Sequence, residues 1–477
     1  MHRFSIVIST CDRHNLLAPG VRAMLETRFD DFELIVSDNF SELHAAEILA
    51  DVDDKRLRVI RTDRRLPVAD HWEWIWQHVG GEFVMYLGDD NALHPDILAF
   101  ADRAIREHDL DVLSWRACTY FHPDWNITYG PLPKRGNILG LDSGTSGELY
   151  RCDAARVLRA FCHDLRLSGC FPCMLNFLFR KSDADMIRTR MSRYFWAPNP
   201  DISATYLILG TVRPGHYMFY DGIGGIGGRS RNSNLASLLS RGKQTRRVYD
   251  FVDEHRGQDL FPYHDPKFVA ISNTLAATIS QARAVMPESF GNYDFDQKTL
   301  ARKTIDDLYV DRTVPWDDDP AFLDQVDAFI KSLPAEDAAE IYAYRDQCRD
   351  RLARQDAGAP SNYIRNADDA RRQLFSSWRQ TDAKSRKSAW QLFRETGRNP
   401  LGRYWTSGGT TYVDMSLFDG RDIADAARLL PRLLAAFDRD DNAWANYHRR
   451  LGMFDEVFPV GRLPMATSDV ERLPEAR

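Results

Sequence analysis

Short apolar runs alternate with amphipathic stretches along the first hundred residues of the chain. The apolar runs are rich in β-branched and aromatic residues, which favour strands, and the stretches between them space apolar residues three or four positions apart, which favours helices. A regular alternation of strand and helix is typical of an α/β fold with a mostly parallel sheet flanked by helices. The predicted strands are residues 4–9, 32–37, 57–61, 83–88 and 111–115, and the predicted helices are residues 16–28, 42–50, 68–78 and 95–107.

The apolar run at 83–88, FVMYLG, is followed directly by two carboxylates, Asp89 and Asp90. Side chains at the carboxyl end of a buried parallel strand open into the crevice where such sheets bind ligands. Two adjacent carboxylates repel each other unless a cation or hydrogen-bond donors offset their charge, so the pair indicates a divalent metal with oxygen ligands. The alternative is a solvated turn, because Asp-Asp-Asn before Pro95 also suits a turn and a helix N-terminus.

The pattern changes beyond this α/β segment. The glycine-rich residues 221–234, DGIGGIGGRSRNSN, predict a flexible flap followed by a domain boundary. Further along, charged segments with a helical period, such as 338–354 and 421–439, indicate helices without obvious strands. We therefore predict an α/β domain over residues 1–238 and a mainly helical C-terminal region over residues 239–477.

Composition and charge narrow the class of protein. The chain has 477 residues, 44% of them hydrophobic, which is enough for a sizeable core. Its formal net charge of -7 argues against a nucleic-acid partner. No apolar run approaches the length of a membrane span and the N-terminus carries no apolar signal segment, so we expect a cytoplasmic protein with reduced thiols. Cys170 and Cys173 have the spacing of half a zinc site or a redox pair, but nothing nearby completes either.

Three segments carry a resemblance to a known family. They are FSIVISTCDR (residues 4–13), ELIVSDNFSE (33–42) and WEWIWQHVGGEFVMYLGDDNAL (72–93), in this order. The set resembles the family 2 glycosyltransferases, whose N-terminal half has a strand followed by a P-T-x-N/D-R loop, a second strand ending in D-D/N-x-S, and a later strand ending in a D-x-D type metal motif. The resemblance covers roughly the first half of the chain and implies a fold of the GT-A type.

The resemblance also implies an activity. Such an enzyme moves a sugar from a nucleoside-diphosphate sugar, with UDP the favoured nucleotide, to a saccharide or lipid-linked acceptor with inversion. It implies Mn²⁺ or Mg²⁺ as the cofactor and, by analogy, a part in surface polysaccharide synthesis at the inner face of the membrane. The alternatives are a nucleotidyltransferase that makes activated sugars, and a non-catalytic protein that binds nucleotide sugars on a degenerate transferase fold.

Five residues match the nucleotide-binding positions of the family. Ser9, Thr10 and Asp12 correspond to the loop that frames the base and ribose, and Arg13 corresponds to the arginine of that loop. Asp38 corresponds to the acid that hydrogen-bonds the base, and a carboxylate can accept the ring N–H of uracil or guanine. The alternative for Asp38 is an Asx turn at the end of its strand.

Asp89 and Asp90 match the metal motif, with Asp89 also expected to contact the nucleotide. The match is incomplete, because Gly88 precedes the pair and Asn91 follows it, where the family often has a further acid. One ligand position is therefore expected to be an amide oxygen, or Asp90 alone touches the ion. Hard carboxylate ligands that bridge to a diphosphate suit magnesium or manganese.

An inverting transfer also needs a base for the acceptor hydroxyl. In the family this is an acid before a helix, well downstream of the metal motif, and Asp201 in Asn-Pro-Asp is the best match. The alternative is an ordinary first-turn acid, because proline followed by an acid and an apolar run is a common helix start. Asp183 and Asp185 are weaker candidates for the base.

The glycine-rich segment contains GIGGIG, residues 222–227, which has the letters of a dinucleotide-binding fingerprint. No apolar helix follows it, and it lies far from the first strand, so we interpret it as a loop and not as a cofactor site. Arg229 and Arg231 beside it form a candidate diphosphate flap, because guanidinium groups suit phosphate oxygens. The alternative is an exposed linker.

Overall fold

The computed structural model shows one large sheet with helices on both of its faces. It describes residues 2–127, 132–142, 144–167, 170–197, 199–233, 254–255, 258–314, 316, 318–358, 404–407, 410–436, 453–459 and 463. The strands are β1 (Phe4–Thr10), β2 (Phe32–Asp38), β3 (Leu57–Arg61), β4 (Phe83–Gly88), β5 (Ala92–Leu93), β6 (Val112–Phe121), β7 (Ile138–Asp142), β8 (Leu149–Cys152), β9 (Phe177–Arg180), β10 (Tyr217–Arg229), β11 (Tyr404–Ser407), β12 (Thr410–Asp414) and β13 (Phe454–Phe458).

The helices lie between and after these strands. They are α1 (His14–Leu25), α2 (Ala45–Ile48), α3 (Val68–Trp76), α4 (Ile97–His108), α5 (Ala154–Asp164), α6 (Lys181–Met191), α7 (Pro200–Leu209), α8 (Ile271–Val285), α9 (Pro287–Phe290), α10 (Gln297–Tyr309), α11 (Pro320–Ser332), α12 (Ala335–Gly358) and α13 (Ile423–Ala436). None of these described helices combines the length and the apolar character needed to cross a membrane.

The N-terminal part of the sheet is parallel, as the alternating pattern predicts. Strand β1 pairs in parallel with β2 on one side and with β4 on the other, and β3 extends the parallel array beyond β2. The main strand order is β11-β12-β7-β6-β9-β4-β1-β2-β3. The short strand β9 is antiparallel to both β4 and β6, while β10 runs parallel to β6. The predicted α/β fold with a largely parallel N-terminal half is thus confirmed.

Two apolar cores lie on opposite faces of the sheet, because successive side chains along each strand point to opposite faces. On β1, for example, Val7 belongs to the core that packs α3, α7, α8 and α10, whereas Ile6 and Ile8 belong to the core that packs α1, α4 and α13. This burial of the sheet on both faces explains why its central strands read as continuous apolar runs.

The C-terminal half is largely helical, as expected, but it also contributes strands. Helices α8 to α12 follow one another, while β12 pairs antiparallel with β7, and β13 pairs antiparallel with β8. The expectation of no strands beyond the glycine-rich segment was wrong, because strands of four or five residues are too short to show a clear period. The domain boundary predicted near residue 238 lies outside the described residues.

The prediction of a flexible flap at the glycine-rich segment was also wrong. Residues 217–229 form the buried strand β10, which pairs along its length with β6. A Cβ on Gly224 would lie 2.6 Å from the Trp115 ring, and one on Gly228 would lie 1.8 Å from the carbonyl oxygen of Asp90. The glycines are therefore required for close approach of the strand to its neighbours, and not for mobility.

Candidate active site

Several of the predicted site residues meet at the carboxyl edge of the parallel strands. Thr10 at the end of β1 lies opposite Asp38 at the end of β2, and Ser9 lies opposite Gly88 at the end of β4. Since the three strands are parallel and in register, their polar C-terminal residues are brought to one edge of the sheet. The hydroxyl of Thr10 donates a 2.6 Å hydrogen bond to Asp89, which ties β1 to the loop after β4.

The guanidinium of Arg13 holds both aspartates of this loop. Its Nη1 lies 2.8 Å from Oδ1 of Asp89, and its Nη2 forms an ion pair and hydrogen bond with Oδ2 of Asp90. The second oxygen of Asp90 accepts a 3.0 Å hydrogen bond from the amide of Asn91. Arg13 thus supplies part of the counter-charge that two adjacent buried carboxylates require.

Electrostatic effects around this cluster are strong because its members are buried. Asp89 is 1% exposed and Asp90 is 8% exposed. Burial alone would raise the pKa of Asp90, but Arg13 and His122 outweigh it and hold that pKa below its ordinary value. Burial opposes the charge of Arg13, yet the two carboxylates raise its pKa, so the ion pair stays charged.

Strand β10 and the end of β6 close the cluster, and they include His122, which the sequence did not single out. The Nε2 of His122 lies 3.2 Å from the carbonyl oxygen of Asp90, and the backbone N–H of Gly228 donates to the Asn91 side chain at 3.3 Å. Ser230, which is fully buried, accepts a 3.4 Å hydrogen bond from Arg13. In the sequence, the only sign of His122 was its position directly after a strand. That this strand, β6, ends near the aspartate pair becomes visible only in the fold.

The carboxylate of Asp38 is occupied by the protein. It accepts hydrogen bonds from the backbone N–H groups of Ser41 at 2.8 Å and Ala45 at 3.1 Å, and it pairs with Arg61 at 2.6 Å. Burial would raise its pKa, but these donors and Arg61 keep it below the ordinary value. Asp38 therefore orders the loop between β2 and α2.

A cleft of about 210 Å³ lies beside this loop. Asp12 stands at its rim with a left-handed backbone, φ 52°, and its carboxylate accepts from the backbone N–H of Glu42 at 2.9 Å and from Arg65 at 3.0 Å. Arg65 also pairs with Glu254 at 3.2 Å, which ties residues beyond β10 to the rim. The residues lining the cleft are Thr10, Asp12, Arg13, His14, Ser41, Glu42, Leu43, Ala45 and Ile48.

Ser9 differs in placement from its neighbour Thr10. Its hydroxyl accepts a 3.0 Å hydrogen bond from the indole N–H of Trp72 on α3. Alternate residues of a strand point to opposite faces, so Ser9 faces α3 while the side chain of Thr10 reaches Asp89. Ser9 therefore supports the packing of α3 against β1, and the structure does not bring its side chain together with the aspartate pair.

Asp201, the expected base, lies in the first turn of α7, half-buried. Burial raises its pKa, which is the direction suited to a general base. Burial also raises the pKa of the Cys173 thiol to about 12, with the charge of Asp201 raising it further and that of Arg229 lowering it. Arg229 also lowers the pKa of Asp90, so its charge acts on both Cys173 and Asp90.

The weaker candidates for the base lie elsewhere. Strand β9 runs antiparallel to β4, with Arg180 opposite Phe83, so α6 begins at the amino edge of the sheet. Asp183 and Asp185 are on this helix, and Asp185 accepts a 2.8 Å hydrogen bond from the Trp76 indole. The structure thus separates both from the aspartate pair.

Arg229 ends β10, and Arg231 follows it on the exposed surface.

The donor set at Asp89 and Asp90 is compatible with a divalent cation of the Mg²⁺ type. Such ions are commonly held by one or two carboxylates together with substrate phosphates and water, so a larger protein cage is not required. The described residues contain no group of three or more His, Cys, Asp and Glu side chains arranged to hold a metal. The ion would have to share the two carboxylates with Arg13, whose guanidinium contacts both.

The chain was compared with protein families, with curated proteins and with solved structures. Residues 5–164 match the profile of the family described as Glycosyl transferase family 2. The chain is similar to S. aureus TarS 1–349 in complex with UDP-GlcNAc, with 15% identity and a TM-score of 0.46, over 76% of this chain and 93% of that one. The complex of the same protein with UDP gives 13% identity and a TM-score of 0.44, over 76% and 94% of the two chains. No curated protein matches the chain.

Proposed function

We propose that the protein transfers a sugar from a nucleoside-diphosphate sugar to an acceptor hydroxyl, since residues 5–164 match the profile of Glycosyl transferase family 2. The observation that carries the proposal is the meeting of Thr10, Arg13, Asp89 and Asp90 at the carboxyl edge of the parallel strands, beside an open cleft. This edge is where α/β sheets bind nucleotides.

The nucleoside occupies the cleft between the loops that follow β1 and β2. Asp12 is held at the rim by Glu42 and Arg65, and Asp38 orders the opposite loop, so both loops are fixed before a ligand arrives. A preformed site avoids the entropic cost of ordering loops on binding. UDP is kept as the nucleotide because the family resemblance implies it.

The diphosphate lies beside Arg13 and the aspartate pair. Arg13 lines the cleft and its guanidinium stays charged there, which suits phosphate oxygens. We include Mn²⁺ or Mg²⁺ in the proposal, held by Asp89 and Asp90, where it would neutralise charge on the leaving diphosphate. Arg229 lies close enough to affect the pKa of Asp90 and serves the same phosphate region.

The transfer proceeds as a single displacement with inversion. Asp201 takes the proton of the acceptor hydroxyl, the acceptor oxygen forms a bond to the anomeric carbon, and the bond from that carbon to the phosphate oxygen breaks. The electron pair of the broken bond leaves with the nucleoside diphosphate, next to the positive charge of Arg13. The raised pKa of Asp201 supports this role, because a base works best when its pKa approaches the working pH.

The acceptor and the cellular setting rest on the resemblance alone. On that basis the acceptor is a saccharide or a lipid-linked saccharide, met in the cytoplasm at the inner face of the membrane during surface polysaccharide synthesis. The nucleotidyltransferase alternative calls for a glycine- and arginine-rich phosphate loop after β1. Residues 11–13 instead present a thiol, a carboxylate and one guanidinium that is engaged with Asp89 and Asp90.

Release of nucleoside diphosphate from sugar nucleotides tests the proposal. The wild-type protein is incubated with UDP-, GDP-, CDP- and dTDP-sugars, with and without manganese, and the freed diphosphate is measured. We expect turnover of at least one donor, strongest with a UDP-sugar, and loss of turnover in Asp90→Asn. Absence of turnover with every donor would refute the proposed transferase activity. Binding without turnover would favour the degenerate binding protein.

A further inference from the structure

Phe40 stands out among the residues between Asp38 and Ser41. Its φ is 59°, in the left-handed region that bulky side chains rarely adopt, and the residue is 47% exposed. Such a conformation carries a strain cost, and exposing a large aromatic ring forgoes its burial. Two unfavourable features at one residue of a candidate site call for a functional explanation.

The ring is supported from one side by a fixed cation. The guanidinium carbon of Arg61 lies 4.9 Å from the ring centroid of Phe40. Arg61 is itself anchored, with Nη1 donating to Asp38 at 2.6 Å and Nη2 donating to the carbonyl oxygen of Ser41 at 2.9 Å. Because both Nη atoms of Arg61 are hydrogen-bonded, its guanidinium is held in a fixed position against the ring of Phe40.

The backbone on both sides of Phe40 is equally fixed. The side-chain amide of Asn39 exchanges two hydrogen bonds with the backbone of Leu66, at 2.8 and 2.9 Å, and its backbone N–H donates to Thr10 at 2.9 Å. On the other side, the hydroxyl of Ser41 accepts from the N–H of Asp12 at 3.0 Å. The exposed ring is therefore presented by a rigid loop, and Ser41 directly after it lines the cleft.

We propose that the ring of Phe40 is the stacking platform for the nucleobase of the donor. A half-exposed aromatic ring without a polar group recognises a flat π-system, and base-on-aromatic stacking is a general mode of nucleotide binding. The placement agrees with the rest of the site, since Thr10 links the Phe40 loop to Asp89, where the diphosphate is proposed to lie. This inference rests on the proposed function.

The decisive variant is Phe40→Gly, which removes the ring and also accepts the left-handed backbone without strain. Isothermal titration calorimetry measures the affinity for two probes in the presence of manganese, UDP and inorganic pyrophosphate. We expect the UDP affinity to fall roughly tenfold or more, the pyrophosphate affinity to stay unchanged, and thermal stability to be retained. Phe40→Trp keeps a stacking surface and should retain the UDP affinity.

Ser192→Gly is the matched control. Ser192 is an exposed residue with φ 66° at the end of α6, so its replacement makes the same backbone change away from the site. It should leave the affinity for both probes at the wild-type value.

The outcomes separate this inference from the function on which it rests. If Phe40→Gly binds UDP as the wild type does while donor turnover persists, the stacking role is wrong and the glycosyltransferase stands. If the variant loses UDP and pyrophosphate equally, the ring serves loop geometry and the stacking role is again wrong. If the wild type binds neither probe nor any sugar nucleotide, both proposals fail.

Discussion

The guanidinium of Arg13 lies 2.8 Å from the carboxylate of Asp89, and the same group pairs with Asp90, so one cation contacts both carboxylates of the acidic motif. Arg13 comes from the loop after β1, while the aspartates follow β4, and the parallel pairing of these two strands brings them together. One guanidinium thus offsets one of the two carboxylate charges before any metal or substrate arrives. This relationship leads to the first prediction.

Arg13→Ala is expected to destabilise the protein by about 3–5 kcal/mol, because it leaves two buried carboxylates without a counter-charge. Urea unfolding monitored by tryptophan fluorescence measures the loss. The control is Arg22→Ala, which removes an exposed ion pair with Asp51 and should cost about 0–1 kcal/mol. Manganese should restore stability to the Arg13 variant more than it stabilises the wild type, if the ion binds the same two carboxylates. Equal losses in both variants would contradict the role of Arg13.

Gly228→Ala tests the tight contact between β10 and the acidic loop. An added Cβ would meet the carbonyl oxygen of Asp90 at 1.8 Å, so the strand or the loop has to shift. We expect a loss of about 1–3 kcal/mol or more, with turnover falling at the same time. Gly227→Ala is the adjacent control, since its Cβ would come no closer than 3.7 Å to its nearest neighbour. If Gly228→Ala is as stable as Gly227→Ala, β10 is not in tight contact with the acidic loop at Gly228.

Asp201→Asn tests the general base. Turnover should fall about 10²- to 10⁴-fold, with little change in the affinity for the donor. Asp185→Asn is the matched control on the opposite edge of the sheet, and its turnover should stay near the wild-type value. If turnover is unaffected in Asp201→Asn but lost in Asp185→Asn, the base has been assigned to the wrong helix.

The pH dependence of turnover gives a separate test of Asp201. The active form is the ionised carboxylate, and burial raises the pKa of this group above the ordinary 3.8. Protonation on acidification therefore removes the base, and the acid limb of the kcat profile should lie above pH 3.8. The residual activity of Asp201→Asn should lack that limb. An acid limb that persists unchanged in the variant belongs to another group.

The regular part of the fold could be predicted from the pattern of apolar residues. Strands β1, β2 and β4 are continuous apolar runs that end in polar residues, and their structures agree with the prediction to within a residue or two. The glycine-rich β10 could not be recognised, because its composition favours a loop. Only its packing against Trp115 and Asp90 explains why a strand at this place must lack side chains.

The candidate site, like the fold, could be predicted only in part from the sequence. Asp89 and Asp90 were found because they follow a strongly predicted strand. The partners of this pair are distant in sequence, 77 positions separating Arg13 from Asp90 and 32 separating His122 from Asp90, so the ion pair and the histidine contact become visible only in the folded chain. The structural engagement of Asp38 with Ser41 and Ala45 could be foreseen only as an alternative.

The central claim is that the carboxyl edge of the parallel strands binds a nucleoside diphosphate. A crystal structure of the protein soaked with UDP and manganese tests it most directly. The account predicts electron density for the nucleoside in the cleft lined by Thr10, Asp12 and Ser41, with the diphosphate beside Arg13 and Asp90. Density for UDP at any other place on the protein, with this edge still closed by the ion pairs of Arg13, would contradict it.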